Sequence, residues 1–167
     1  TVGTVTEIGS GVTRFRRGDR AYGYFPIRET HAVKEDAVMK APLELKDEEL
    51  VCIDPAAVAL MAVRESRLKI GDAVAIFGGG AIGLMAVQMS KLSGALRVIC
   101  VEPIGMRRRA AEKFGADATL DPKDVDVGLE IKRSTGGKGV DVSLETSGSY
   151  HALQSAIRAT CYGGVVV

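Results

Sequence analysis

No apolar run in this 167-residue chain is long enough to cross a bilayer. A spanning helix needs about 20 consecutive apolar residues. The apolar runs near Val74 and Val98 stop well short of that, at glycine, charge or proline. The first residues, TVGTVTEIGS, lack the basic start, apolar stretch and small-residue cleavage site of a secretory signal. They also lack an initiator Met, and the chain stops at CYGGVVV, inside an apolar β-branched run. Both ends read as those of a segment from a longer protein. Charge of one sign is missing too. Lys and Arg number 22 and Asp and Glu 21, for a formal charge of +1, so no long-range field recruits nucleic acid or an anionic membrane. Only three cysteines occur, Cys52, Cys100 and Cys161, far apart and among apolar neighbours. That usage suits buried thiols in a reducing compartment, and a cytoplasmic location is expected.

Several site chemistries are missing as well. His31 and His151 have no second ligand at helical or hairpin spacing and read as surface or packing histidines. No G-x-S-x-G elbow supplies a hydrolase nucleophile. The stretch STGGKGVD is not a nucleotide P-loop. Gly139 follows Lys138 where Ser or Thr is needed, and Lys132 holds the place of the first glycine. It reads as a turn before a strand.

What is abundant is glycine, at 20 residues of 167, about 12% against about 7% in ordinary chains. From Gly71 onward it punctuates a regular alternation. AVAIF, RVICVE, DATL and VDVSLE read as strands. AIGLMAVQMSKLSG, GMRRRAAEKFG, DVGLEIKRSTGG and SYHALQSAIRATCYGG read as the helices between them, and VVV as a fifth strand. Apolar strands separated by crossover helices indicate an α/β doubly wound parallel sheet, covered on both faces. The first part differs: TVGTVTEIGSGV, the turn in RRGDRAYGYFP and the stretch RETHAVKEDAVMKAP read as β-rich. After Pro42 the pattern turns helical, with an acidic first turn in KDEEL and Pro55 at a position where a helix tolerates it.

Of the three consecutive glycines, only one register fits G-x-G-x-x-G: Gly78, Gly80 and Gly83. Gly78 permits the tight turn off a strand, Gly80 lets backbone approach a pyrophosphate, and Gly83 lets helix and strand pack closely. The first-turn N–H groups and dipole of the helix then face the anion. Such a triplet also occurs as a plain strand-to-helix turn. Glu102, 19 positions past Gly83 at the end of the next strand, favours a dinucleotide over that plain turn. Its carboxylate suits the ribose hydroxyls and repels a 2′-phosphate, favouring NAD over NADP. Arg107, Arg108 and Arg109 complicate that preference, because an arginine near the ribose accommodates the phosphate instead. Arg108 and Arg109 read as a solvated helix face.

With these residues in place, the order of pieces resembles the medium-chain dehydrogenase/reductase superfamily, the zinc alcohol and polyol dehydrogenases. VGTVTEIGSGVTRFRRGDRA, LKIGDAVAIFGGGAIGLMAVQMSKLSGA, EPIGMRRRAAEKFGAD, TGGKGVDVSLETSG and ALQSAIRATCYGGVVV carry the likeness in order. The resemblance implies a GroES-like catalytic-domain segment over residues 1–53. It implies a Rossmann NAD-binding domain over residues 54–167, ending after its fifth strand. By position, Gly78, Gly80, Ala81, Ile82 and Gly83 match the pyrophosphate loop, Glu102 the ribose carboxylate and Arg107 a basic residue assisting there. Thr146, Ser147 and Gly148 match the loop running along the cofactor. Asp54 aligns with a carboxylate at or beside a catalytic zinc, although a helix N-terminal acid beside Pro55 needs no metal. The family's first zinc-ligand Cys and its G-H-E should precede Thr1, and no four-cysteine lobe for a structural zinc is present. The resemblance therefore implies an intact parent that uses NAD and catalytic zinc on a small-molecule alcohol or ketone, as a homo-oligomer, dimer or tetramer. The segment alone is expected to bind cofactor without turnover. Rival readings are a zinc-free quinone or enoyl reductase and a non-catalytic dinucleotide-binding redox sensor.

Overall fold

The computed structural model describes all residues from Thr1 to Val167, in two units, Thr1–Asp54 and Pro55–Val167. In the first unit, three short strands, β1 (Val2–Thr4), β2 (Arg20–Tyr22) and β3 (Met39–Lys40), form an antiparallel sheet in the order β1-β2-β3. The strand-like stretch from Arg28 to Pro42 is thus mostly irregular. Its register with β2 extends only over Ala21↔Lys40 and Tyr22↔Met39. Ahead of β3, Glu35–Ala37 makes a single 3₁₀ turn, and the Glu35 carboxylate accepts the backbone N–H groups of Thr13 (3.1 Å) and Arg14 (2.9 Å). Those N–H groups are satisfied by a side chain, which is how turns compete with ladders.

Two helices follow, α1 (Asp47–Leu50) and α2 (Ile53–Glu65). Pro55 sits in the first turn of α2, where its missing N–H has no intrahelical partner to lose.

The second unit alternates strictly: β4 (Ala73–Phe77), α3 (Ala81–Leu92), β5 (Arg97–Val101), α4 (Gly105–Lys113), β6 (Ala118–Leu120), α5 (Val127–Ser134), β7 (Val140–Glu145), α6 (Tyr150–Ala159) and β8 (Thr160–Val166). Its five strands are parallel, in the order β6-β5-β4-β7-β8. The period-2 alternation of strands assigns the two faces. Val74, Ile76, Val98, Cys100, Val142 and Leu144 pack with Ala59 and Val63 of α2, Ala86 and Val87 of α3 and Ala111 of α4. Ala75, Phe77, Ile99 and Val101 pack with Val127 and Ile131 of α5 and Ala156 and Ala159 of α6. Val140 joins this second face out of step with Val142 and Leu144, where the pairing of β7 with β8 shifts register. Both faces are covered, the doubly wound plan read from the sequence. Each large apolar side chain buried this way stabilises the fold by about 1.5–3 kcal/mol.

One boundary differs from the sequence reading. The last helix ends at Ala159 rather than reaching Gly164, and β8 begins at Thr160. Thr160 is extended (φ −75°, ψ 141°), and its Oγ1 donates to the Ala156 carbonyl at 2.7 Å, satisfying one of the acceptors a helix end leaves free. Irregular pairing then carries β8 from Val140↔Thr160 to Val142↔Val165, with Gly163 at φ +76° inside the extra segment.

Candidate functional site: a crevice at the strand-order switch

The strand order reverses between β4 and β7, the neighbours that lead to opposite edges of the sheet. In open parallel sheets, ligands bind at the carboxyl ends of the strands at this point. A cleft of about 540 Å³ opens there, bordered by Gly78 and Gly80 after β4, Glu102 and Arg107 after β5, and Thr146 and Ser147 after β7.

The glycines differ in what the fold asks of them. Gly78 turns off β4 at φ +106°, and a Cβ on it would lie 3.0 Å from the Ser147 backbone nitrogen. On Gly83 a Cβ would lie 1.8 Å from the Gly78 carbonyl oxygen and 3.0 Å from Thr146 Oγ1. Helix, strand and the β7 loop therefore meet at that carbonyl. Gly80 is unlike both. It is the N-cap of α3 with φ −77° and ψ −170°, ordinary extended backbone, and a Cβ on it would meet nothing within 4 Å. It brings no side-chain acceptor, so the first-turn N–H groups of Ala81, Ile82 and Gly83 lack the usual cap partner.

Glu102 is buried at 3% exposure, with its carboxylate turned toward the glycine loop. Oε2 accepts from the Gly79 N–H at 2.7 Å, and Oε1 from the Ile104 N–H at 2.9 Å. Arg107, exposed, holds Nη1 3.8 Å from Oε2. The carboxylate thus fixes the glycine loop to the end of β5, while each oxygen retains accepting capacity. Arg108 corrects the solvated-face reading: it donates to the Glu102 carbonyl at 2.6 Å and pairs with Asp121 at 2.7 Å. Arg109 is exposed.

Just past β7, Thr146 bonds back to the end of β4. Its N–H donates to the Phe77 carbonyl at 2.9 Å, and its Oγ1 lies 3.0 Å from that oxygen and 3.2 Å from the Gly78 oxygen. Gly78, Gly80, Glu102, Arg107, Thr146 and Ser147 all border one crevice, with Ala81, Ile82 and Gly83 in the helix turn that opens from it and Gly148 next in the β7 loop. The sequence reading left out the far wall, formed by Pro122, Val125, Asp126, His151, Ser155 and Arg158. The sequence alone reads His151 as a surface or packing residue. It is exposed and stands edge-on to Tyr150 with ring centroids 6.2 Å apart. The rule that ligands sit at strand carboxyl ends would have pointed to the loop after β6, which carries Pro122 and Val125.

Asp54 is separate from this crevice. It lies exposed in the first turn of α2 and borders a hollow of about 310 Å³ with Thr1, Tyr22, Phe25 and Leu50. No group of three or more His, Cys, Asp or Glu side chains in the chain is arranged to hold a metal ion. The residues present do not make a zinc site.

Fold and crevice together define a Rossmann-type α/β protein of the dehydrogenase kind. Residues 81–167 match the family model for zinc-binding dehydrogenases, and the chain belongs to that family, within the medium-chain dehydrogenase/reductase superfamily. It is 45% identical to D-guloside 3-dehydrogenase of Escherichia coli over 168 residues, 99% of this chain and 48% of that protein. The structure of 2R,3R-butanediol dehydrogenase from Bacillus subtilis superposes with a TM-score of 0.73 at 34% identity, covering 99% of this chain and 56% of that one. A Sinorhizobium meliloti 1021 protein described as a zinc-binding dehydrogenase, solved bound to NADP, gives a TM-score of 0.79 at 30% identity, with 99% and 58% covered. The chain spans about half the length of the curated relatives it matches.

Proposed function

We propose that the crevice binds a nicotinamide dinucleotide, NAD in preference to NADP, for a dehydrogenase that transfers hydride between the cofactor and a secondary or polyol alcohol. Gly80 carries the reading. Its backbone conformation is open to any residue and its Cβ position is empty, so folding does not require glycine there. A pyrophosphate lying against the loop does.

Bound NAD supplies the hydride acceptor. The chain's own groups bind and orient it. The first-turn N–H groups of α3, Ala81 to Gly83, face the pyrophosphate, and Glu102 accepts from the adenosine ribose. Thr146, Ser147 and Gly148 line the half toward β7. Glu102 supports NAD, because its negative charge beside the ribose disfavours a 2′-phosphate. Arg107, at 3.8 Å, offsets part of that charge. The dehydrogenases this chain resembles support the alcohol class, and the chain itself assembles no ligand set for zinc. A homo-oligomer is proposed with this reading, and a monomeric mass in sedimentation would contradict it.

Fluorescence titration with NADH and NADPH tests the assignment. The expected result is saturable binding with NADH the tighter ligand. Tighter NADPH binding would overturn the NAD preference and favour the zinc-free reductase reading, and binding of neither would overturn the cofactor site.

A further inference from the structure

The loop after β7 owes its shape to one carboxylate that the cofactor reading does not use. Glu145, the last residue of β7, curls its side chain over the turn that follows. Its Oε1 accepts from the Ser147 N–H at 2.8 Å and from the Ser147 hydroxyl, and its Oε2 accepts from the Gly148 N–H at 3.1 Å. Ser147 Oγ in turn accepts from the Ser149 N–H at 3.1 Å, at the N-cap of α6. Gly148 completes the turn at φ +69°. The two backbone donors that point into this turn are thus held by a single side chain. No salt bridge within 4.0 Å ties that side chain elsewhere.

The same turn is one wall of the glycine loop. A Cβ on Gly78 would lie 3.0 Å from Ser147 N and 3.1 Å from Ser147 Cα, so the position of Ser147 fixes how far the first glycine can move. Glu145 therefore acts on the glycine loop through Ser147, without a hydrogen bond from its own carboxylate to Gly78, Gly80 or Gly83. We propose that Glu145 is a positioning residue for the cofactor: it holds the 146–148 turn against Gly78, and so sets affinity for the half of the ligand that lies on the β7 side. The inference rests on the dinucleotide reading above. It goes beyond that reading because it divides the ligand. Glu102 follows β5 and Glu145 ends β7, on opposite sides of β4. A mononucleotide held by Glu102 and the start of α3 does not need the β7 turn.

The test compares NADH with AMP on the full chain and on Glu145→Ala and Glu145→Gln, with amide hydrogen exchange measured without ligand. Losing hydrogen bonds to a charged acceptor is expected to weaken NADH binding by about tenfold or more in Glu145→Ala, with AMP binding unchanged. Glu145→Gln, which keeps an acceptor oxygen, should fall between. Exchange at Ser147 and Gly148 should accelerate in Glu145→Ala while the β4 amides stay protected. Unchanged NADH affinity in both variants would overturn the inference and leave the cofactor site standing. Equal loss of NADH and AMP with lowered protection in β4 would make Glu145 a general fold residue, and overturn it as well. A wild-type chain that binds neither ligand would bring down the cofactor reading and this inference together.

Discussion

Gly80 and Gly83 lie three positions apart in one motif, yet only one of them is required by the fold. A methyl group on Gly83 would overlap the Gly78 carbonyl at 1.8 Å, and relieving such a clash in a packed site typically costs about 1–3 kcal/mol. Gly83→Ala is therefore expected to lower the unfolding midpoint in denaturant and to weaken NADH binding together. Gly80→Ala should shift the midpoint only by the small cost of alanine against glycine at an N-cap and chiefly weaken the cofactor, since its Cβ meets no protein atom within 4 Å. A Gly80→Ala chain that binds NADH like the wild type would remove the main support for a pyrophosphate at this loop. Cys100 gives a second residue-scale expectation. Burial pushes its thiol up to about 12, with the nearby Glu102 charge adding to the shift. Because the thiolate is the reactive form, Cys100 should resist thiol reagents at neutral pH in the folded chain and react once denaturant is added. Mass spectrometry of the labelled protein reads this directly.

Among elements, α5 and α6 are joined at the mouth of the crevice by Asp126 and Arg158. Asp126 caps α5 by accepting from the Leu129 N–H at 3.1 Å, and Arg158 Nη2 reaches both its oxygens at 3.0 and 2.7 Å. The Arg158 hydrogen bond, and then the Leu129 N–H, hold the Asp126 carboxyl below its ordinary value of 3.8. A carboxylate depressed in the folded state stabilises the fold above its unfolded pKa and loses that contribution as pH falls through the lower folded value. Acid titration of wild type should therefore steepen below pH 3.8. Asp126→Asn should start less stable at neutral pH and show a shallower acid limb by circular dichroism. An identical acid limb would show that this pair contributes nothing to the joint. The elements themselves were largely legible in sequence, because the strands of the second unit are nearly unbroken apolar runs and its helices close on glycine. Two stretches were not. The residues from Thr160 onward continue a helical pattern, and only the Thr160 hydroxyl bond to Ala156 and pairing with β7 show where the helix stops. Residues 28–42 alternate like a strand but find a partner over two residues only.

At the scale of the whole molecule, the second unit is a five-stranded doubly wound sheet whose crevice gathers loops from three adjacent strands. Motif spacing made one half of that crevice legible, from Gly78 to Glu102. The resemblance named Thr146–Gly148 on the other side, but spacing gave no sign of Glu145, whose contacts lie within its own loop, or of the Asp126–Arg158 pair, 32 positions apart. No helix is long and apolar enough to cross a membrane. The proposed dinucleotide lies across β4, with its pyrophosphate at the start of α3. Backbone amide NMR of the chain titrated with NADH tests this most directly. Saturable shifts should concentrate at Gly78, Gly80, Ala81 and Ile82, and extend to Glu102 on one side and to Thr146–Gly148 on the other. Shifts centred elsewhere, or none at saturating NADH, would contradict it.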